Sequence, residues 1–227
     1  MAPGARVGVL ASGVGSNLQA LLDRVHGRDG IEIVAVGSDK PDAQALARAR
    51  AAGVPDATFA ADGYADRRAR DLAMAGWLEG ARVELVVLAG YMQLLDTDFL
   101  ARFPHRVINV HPALLPAFAG IGAVEQAIAY GVKVFGVTVH FVDEGVDTGP
   151  VIAQRAVEVP GEPTAAQVRE ALRPIEHELL CDTVQRIARG EVKVDGEVET
   201  RRGRTLTPGA LVEVEGEGQF RVASGEG

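Results

Sequence analysis

The chain is short of cysteine, of aromatic residues, of positive charge and of long apolar runs. A single cysteine among 227 residues, Cys181, rules out an internal disulfide framework and a cysteine-rich zinc site, and it suits a reducing compartment. Lys and Arg number 23 against 31 Asp and Glu, so the net charge is -8. That balance disfavours nonspecific grip on a phosphate backbone, and a nucleic acid is not expected as the main partner. No stretch approaches the roughly 20 apolar residues that span a bilayer, and "MAPGARVGVLASG" lacks signal-peptide architecture. The expectation is a soluble, cytoplasmic protein with no membrane partner.

What the chain does contain is rhythm. Short β-branched runs, "RVGVL" (6–10), "IEIVAV" (31–36), "VELVVLAG" (83–90) and "VINVH" (107–111), alternate with amphipathic stretches of helical period. That alternation predicts an α/β, Rossmann-like fold, a mostly parallel twisted sheet with helices on both faces. Two longer strand candidates follow, 133–143 and 150–159, joined by only Glu144 to Gly149. So short a link cannot hold a crossover helix, which makes this pair antiparallel. Thr164 caps a long helix with Val168, Leu172, Ile175 and Leu179 on its buried stripe, a kink expected at Pro174 and a stop at Gly190. The domain reading is therefore 1–190, with 191–227 as a small β-rich C-terminal extension turning at Asp195-Gly196 and ending in a disordered "ASGEG".

Three constellations can carry chemistry. In "LASGVGSNLQALL" (10–22), Gly13 and Gly15 permit a tight turn, and Ser16 and Asn17 add polar groups beside the free N–H groups of a helix N-terminus. A phosphate loop and an ordinary βα turn both stay open on this pattern, which matches neither a dinucleotide fingerprint nor a Walker loop. In "INVHPALLP" (108–116), Asn109 and His111 share one strand face, and Pro112 ends the strand, leaving His111 at its carboxyl edge. Ligands bind at that edge in open α/β sheets; the alternative is a histidine satisfied by a backbone carbonyl. In "DEGVDTGP" (143–150), Asp143 and Glu144 read as solvated acids, whereas Thr148-Gly149-Pro150 fixes the backbone after Asp147. A carboxylate there can orient an imidazole, and pairing of Asp147 with His111 is the expectation. His140 reads as a core or supporting histidine, and no histidines have metal-ligand spacing, so no metal is expected.

Together these stretches resemble the folate-dependent formyltransferase family over about Val7 to Gly190. "INVHPALLPAF" and "HFVDEGVDTGP" are similar to its formyl-transfer signatures, and "SGVGSNLQAL" to the branch that formylates a ribonucleotide. The resemblance implies transfer of a formyl group from the cosubstrate 10-formyltetrahydrofolate to the amine of glycinamide ribonucleotide, in de novo purine (IMP) biosynthesis. Asn109, His111 and Asp147 match the catalytic trio. Gly13, Gly15, Ser16 and Asn17 match the phosphate loop, Glu176 matches the ribose-binding position, and Arg173 can share its helix face and reach the phosphate. Met92, Gln93, Leu94, Leu95, Val142 and Asp147 match the folate site, with Arg67 near the folate's glutamate tail. The sequence departs from the pattern at Val14, where asparagine is commoner, at Gln93, where arginine is commoner, and at Gly122, which replaces a histidine.

The nearest rival is formyltetrahydrofolate hydrolase, which uses the same trio with water as acceptor and resembles this chain after an additional N-terminal domain. Methionyl-tRNA formyltransferase needs a larger, basic C-terminal domain. Residues 191–227 resemble the later half of an S4-type RNA-binding fold but carry eight acids and five bases, so RNA binding is not assigned. A non-catalytic nucleotide- or RNA-binding module is disfavoured by the presence of the whole trio. A homodimer is compatible with these readings and is left open.

Overall fold

The computed structural model describes residues 5–194, 197–198, 211–214 and 218–221. They form a seven-stranded sheet of order β3-β2-β1-β4-β5-β6-β7 and a second, four-stranded sheet near the C-terminus. The chain clusters into two units, the first ending at Asn109 and the second starting at Val110.

The first unit is a run of βα repeats: β1 (Arg6–Leu10), α1 (Ser16–Arg24), β2 (Glu32–Ser38), α2 (Gln44–Ala51), β3 (Asp56–Thr58), a 3-10 turn (Ala61–Gly63), α3 (Arg67–Gly80), β4 (Leu85–Leu88), α4 (Thr97–Arg102) and β5 (Val107–His111), whose last two residues open the second unit. β1 pairs in parallel with both β2 and β4, β2 with β3, and β4 with β5. Val7, Val9, Leu10, Val86 and Val87 have no exposed surface, because helices cover both faces of such a sheet. That two-sided burial is why these strands read as unbroken apolar runs instead of alternating ones. Asp66 caps α3 by accepting the Ala69 N–H at 2.7 Å.

The second unit continues with α5 (Ala123–Tyr130), β6 (Val134–Phe141), β7 (Val151–Glu158) and α6 (Ala165–Ala188). β6 and β7 pair antiparallel, as their short link requires. Thr164 and Gln167 form a complete capping box at the start of α6. Val168, Leu172 and Leu179 are buried along it, Ile175 is half-buried, and the helix continues past Pro174 to a left-handed Gly190. Beyond it, β8 (Val192–Val194), β9 (Glu197–Val198), β10 (Leu211–Val214) and β11 (Gly218–Arg221) pair antiparallel in the order β11-β10-β8-β9. The turn expected at Asp195-Gly196 and the final "ASGEG" lie outside the described residues. Among the described residues, no helix is long and apolar enough to cross a membrane.

Candidate active site

β5 ends at His111 because Pro112 follows, and it is buried on both faces except at Asn109, which is half-buried. His111 is only 5% exposed. Its Nδ1 lies 3.2 Å from Asp147 Oδ2, so the contact expected between these two side chains is present. Its Nε2 lies 2.9 Å from the Phe118 carbonyl oxygen. The Phe118 carbonyl can only accept, so Nε2 is the donor in that bond.

Two features carry this arrangement. One is the segment after Pro112, which folds back so that the Gly120 N–H donates to Asp147 Oδ2 at 2.8 Å. Buried Thr138 on β6 pins that segment, accepting from the Leu115 N–H at 3.1 Å and donating to the Ala113 carbonyl at 2.7 Å. Gln154 on β7 adds donation to the Leu115 carbonyl at 2.9 Å. The other is the loop between β6 and β7. Asp143, expected to be merely solvated, is half-buried and knits it, accepting from the Gly145 N–H at 3.1 Å and the Thr148 hydroxyl at 2.7 Å. A short acidic side chain is the acceptor the turn needs. Glu144 is exposed as expected.

Asp147 sits between two imidazoles. His140, 1% exposed, points Nε2 at Asp147 Oδ1 from 3.5 Å and has its Nδ1 2.8 Å from the Phe141 carbonyl. Burial pushes the Asp147 carboxyl up, but the hydrogen bond with His140, the Gly120 N–H and the charges of both histidines outweigh it, bringing it down to about 2. The carboxylate is therefore ionised throughout the physiological range.

In the first unit, Gly13, Val14 and Gly15 turn the chain from β1 into α1. Gly15 is left-handed at φ 74, and a Cβ there would lie 2.9 Å from both Cα and Cβ of Ala45, so only glycine fits. Gly13 has open space around it, which removes the steric reason for a glycine there. The turn is braced by the Ala45 N–H on the Gly13 carbonyl at 3.1 Å and by Arg48 Nε on the Val14 carbonyl at 2.8 Å. Gly15 caps α1 without a side-chain hydrogen bond, Ser16 is half-buried and Asn17 is buried. Exposed Val14 occupies the outer side of the turn.

The residues after β4 present Met92, 63% exposed, and Leu94, 55% exposed, while Leu95 is half-buried. Large apolar side chains held out on one turn suit a flat apolar ring. The Met92 N–H is bound to Ser12 Oγ at 2.8 Å, Gln93 donates to Asp39 Oδ2 at 3.1 Å, and Arg67 lies 3.7 Å from Asp96. In the second unit Val142 is half-buried; Arg173 is exposed and Glu176 half-buried on α6, at a spacing that puts them on one helix face. Ser12, Thr138, Phe118, Gly120 and Asp143 had no place among the expected site residues. Among the described residues, no group of three or more His, Cys, Asp or Glu side chains could hold a metal.

A carboxylate-held imidazole at the carboxyl end of a strand in an open, mostly parallel sheet lies where enzymes of the α/β class bind their ligands. The chain belongs to the formyl transferase family, whose model matches residues 5–184. A model of the S4 domain matches residues 184–223. The phosphoribosylglycinamide formyltransferase of Mycobacterium tuberculosis (strain CDC 1551 / Oshkosh) is 43% identical over 205 residues, covering 90% of this chain and 94% of that one. That of Bacillus subtilis (strain 168) is 40% identical over 180 residues, covering 79% and 92%. The crystal structure of glycinamide ribonucleotide transformylase 1 from Symbiobacterium toebii is 43% identical, with a TM-score of 0.84 and coverage of 87% and 93%.

Proposed function

We propose that the protein transfers the formyl group of 10-formyltetrahydrofolate to the primary amine of glycinamide ribonucleotide, a step of purine biosynthesis, in the cytoplasm. What carries this reading is the His111–Asp147 pair at the end of β5, in a chain that matches enzymes named for that reaction over 90% and 79% of its length.

The amine nitrogen attacks the formyl carbon, a C–N bond forms and the carbonyl electron pair moves to oxygen. Asn109 would donate to that oxygen, where a pre-set amide donor is worth on the order of 10²- to 10³-fold in rate. The C–N10 bond then breaks, and the proton lost by the amine ends on N10 of the folate. His111 would stabilise the oxyanion by its charge or carry that proton. Its Nε2 is bonded to the Phe118 carbonyl, so proton transfer requires this bond to open, whereas electrostatic stabilisation does not. Asp147 would keep the ring oriented and balance its charge.

For the acceptor, Gly13, Gly15, Ser16 and Asn17 would hold the phosphate on the open N-terminus of α1, with Arg173 adding charge and Glu176 taking the ribose. For the donor, Met92, Gln93, Leu94, Leu95 and Val142 would line the pterin site and Arg67 would meet the glutamate tail. Residues 191–227 are a C-terminal extension in this reading, supported by the S4-domain match; their acidic balance gives no support to RNA binding.

Purified protein given both substrates should form formylated ribonucleotide and tetrahydrofolate in equal amounts, followed by coupled absorbance and mass spectrometry. Folate turnover indifferent to the ribonucleotide would replace transfer by hydrolysis.

A further inference from the structure

Arg70 and Asp71, consecutive on α3, are 3% and 0% exposed, and the chemistry above uses neither. The Arg70 guanidinium reaches Asp71 Oδ1 with both Nε and Nη2 at 2.8 Å. That leaves Asp71 Oδ2 to accept the Asp96 backbone N–H at 2.8 Å. Arg70 Nη1 extends to Gln93 Oε1 at 3.5 Å, and the Gln93 amide continues to Asp39 at 3.1 Å. At the other end of the same turn the Met92 N–H is held by the buried Ser12 hydroxyl.

A buried ion pair is a poor source of stability, since desolvation offsets most of its attraction, and apolar side chains of equal volume serve packing as well. What apolar residues could not supply is an acceptor for the Asp96 N–H and a donor for Gln93. The consequence is local: the backbone of Met92–Leu95 is tethered at both ends by buried polar groups, while Met92 and Leu94 point outward into solvent.

We propose that Arg70 and Asp71 are positioning residues for formyl-folate binding, fixing the Met92–Leu95 turn in the conformation that receives the folate ring. This rests on the reading of that turn as the folate-lining segment. The pair acts through the turn and touches no substrate.

The test is the double variant Arg70→Met/Asp71→Leu, which removes both charges at similar volume and should keep its fold. Its KM for 10-formyltetrahydrofolate should rise about 10-fold or more, with kcat within about 3-fold of the parent and an unchanged KM for the ribonucleotide, because a displaced platform costs positioning and not chemistry. Arg70→Met/Asp71→Asn, which restores an acceptor opposite Asp96, should recover most of that loss. Arg70→Lys keeps the charge beside Asp71 but lacks a second arm for Gln93, and should raise the folate KM about 3-fold even if the double variant fails to fold. A parental folate KM in folded Arg70→Met/Asp71→Leu, or in Arg70→Lys where the double variant does not fold, overturns the proposal. Leu94→Ala separates the two readings. If it leaves the folate KM unchanged, the folate turn itself is misassigned; if it raises KM while the pair variants do not, only the positioning role falls.

Discussion

Asp147→Asn is expected to lower kcat by on the order of 10³- to 10⁴-fold while the dissociation constant for the formyl folate changes by less than about 3-fold, the behaviour of a carboxylate that works beneath a histidine. The reason is in the division of its two oxygens. Oδ2 takes the Gly120 N–H and faces His111, and Oδ1 faces His140. An amide can keep the Gly120 bond through its oxygen, but its NH₂ then stands where the carboxylate presented an acceptor to His140, and the negative charge opposite His111 is gone. Stopped-flow turnover and equilibrium folate binding measure the two quantities separately. Equal losses in both would reduce Asp147 to a wall of the pocket.

The same substitution has a signature in stability. The Asp147 carboxyl is held at about 2, below its ordinary 3.8, despite burial that acts the other way. A group depressed on folding stabilises the native state above its unfolded pKa, and that contribution disappears as the pH falls through the folded value. Here the window is from about pH 4 down to about pH 2, and the contribution at neutral pH is about 2 kcal/mol. Urea unfolding of the parent and of Asp147→Asn should therefore differ most near neutral pH, with the gap closing by about that amount between pH 5 and pH 2. A gap independent of pH would mean that the carboxylate is not held ionised by its histidines.

Much of this was legible in the sequence, for a physical reason that also marks the limit. β1 and β5 span the runs read for them, Arg6–Leu10 and Val107–His111, because both faces of these strands are covered. The antiparallel turn of β6 into β7 follows from the length of the link alone. His111 could be placed at a strand edge from Pro112, and Asp147 suspected from the rigid residues after it. What could not be read is whatever the backbone supplies. The Phe118 carbonyl and Gly120 N–H that hold the His111–Asp147 pair are identical in every non-proline residue, and only the fold-back of the segment singles them out. Asp143 and Asp71 failed to stand out for a related reason: one organises a loop and the other a distant turn, and both tasks depend on which backbone donors tertiary structure brings near.

Gly149→Ala is expected to destabilise the fold by about 2 to 4 kcal/mol and to depress kcat in the protein that remains folded, through overpacking against a backbone atom. A Cβ on residue 149 would lie 1.9 Å from the Phe141 carbonyl oxygen and 2.8 Å from its carbon. Phe141 cannot simply retreat, since it closes β6 and its N–H is bound to the Pro150 carbonyl at 2.9 Å. Moreover, that same Phe141 oxygen is the partner of His140 Nδ1, and His140 faces Asp147 with its other nitrogen. One methyl group thus displaces the carbonyl that sets His140, then the histidine, then the carboxylate. Gly145→Ala is the contrast within the same loop. Its added Cβ would meet Thr148 Oγ1, which can rotate away by giving up its bond to Asp143, and would stay in tight contact with Thr148 Cβ at 3.1 Å, so the cost should be about 1 to 2 kcal/mol, below that of Gly149→Ala. Denaturant midpoints and kcat for the two variants decide the matter: equal effects would show that the loop matters only as a whole, whereas the expected inequality traces catalysis through the Phe141 carbonyl to Asp147.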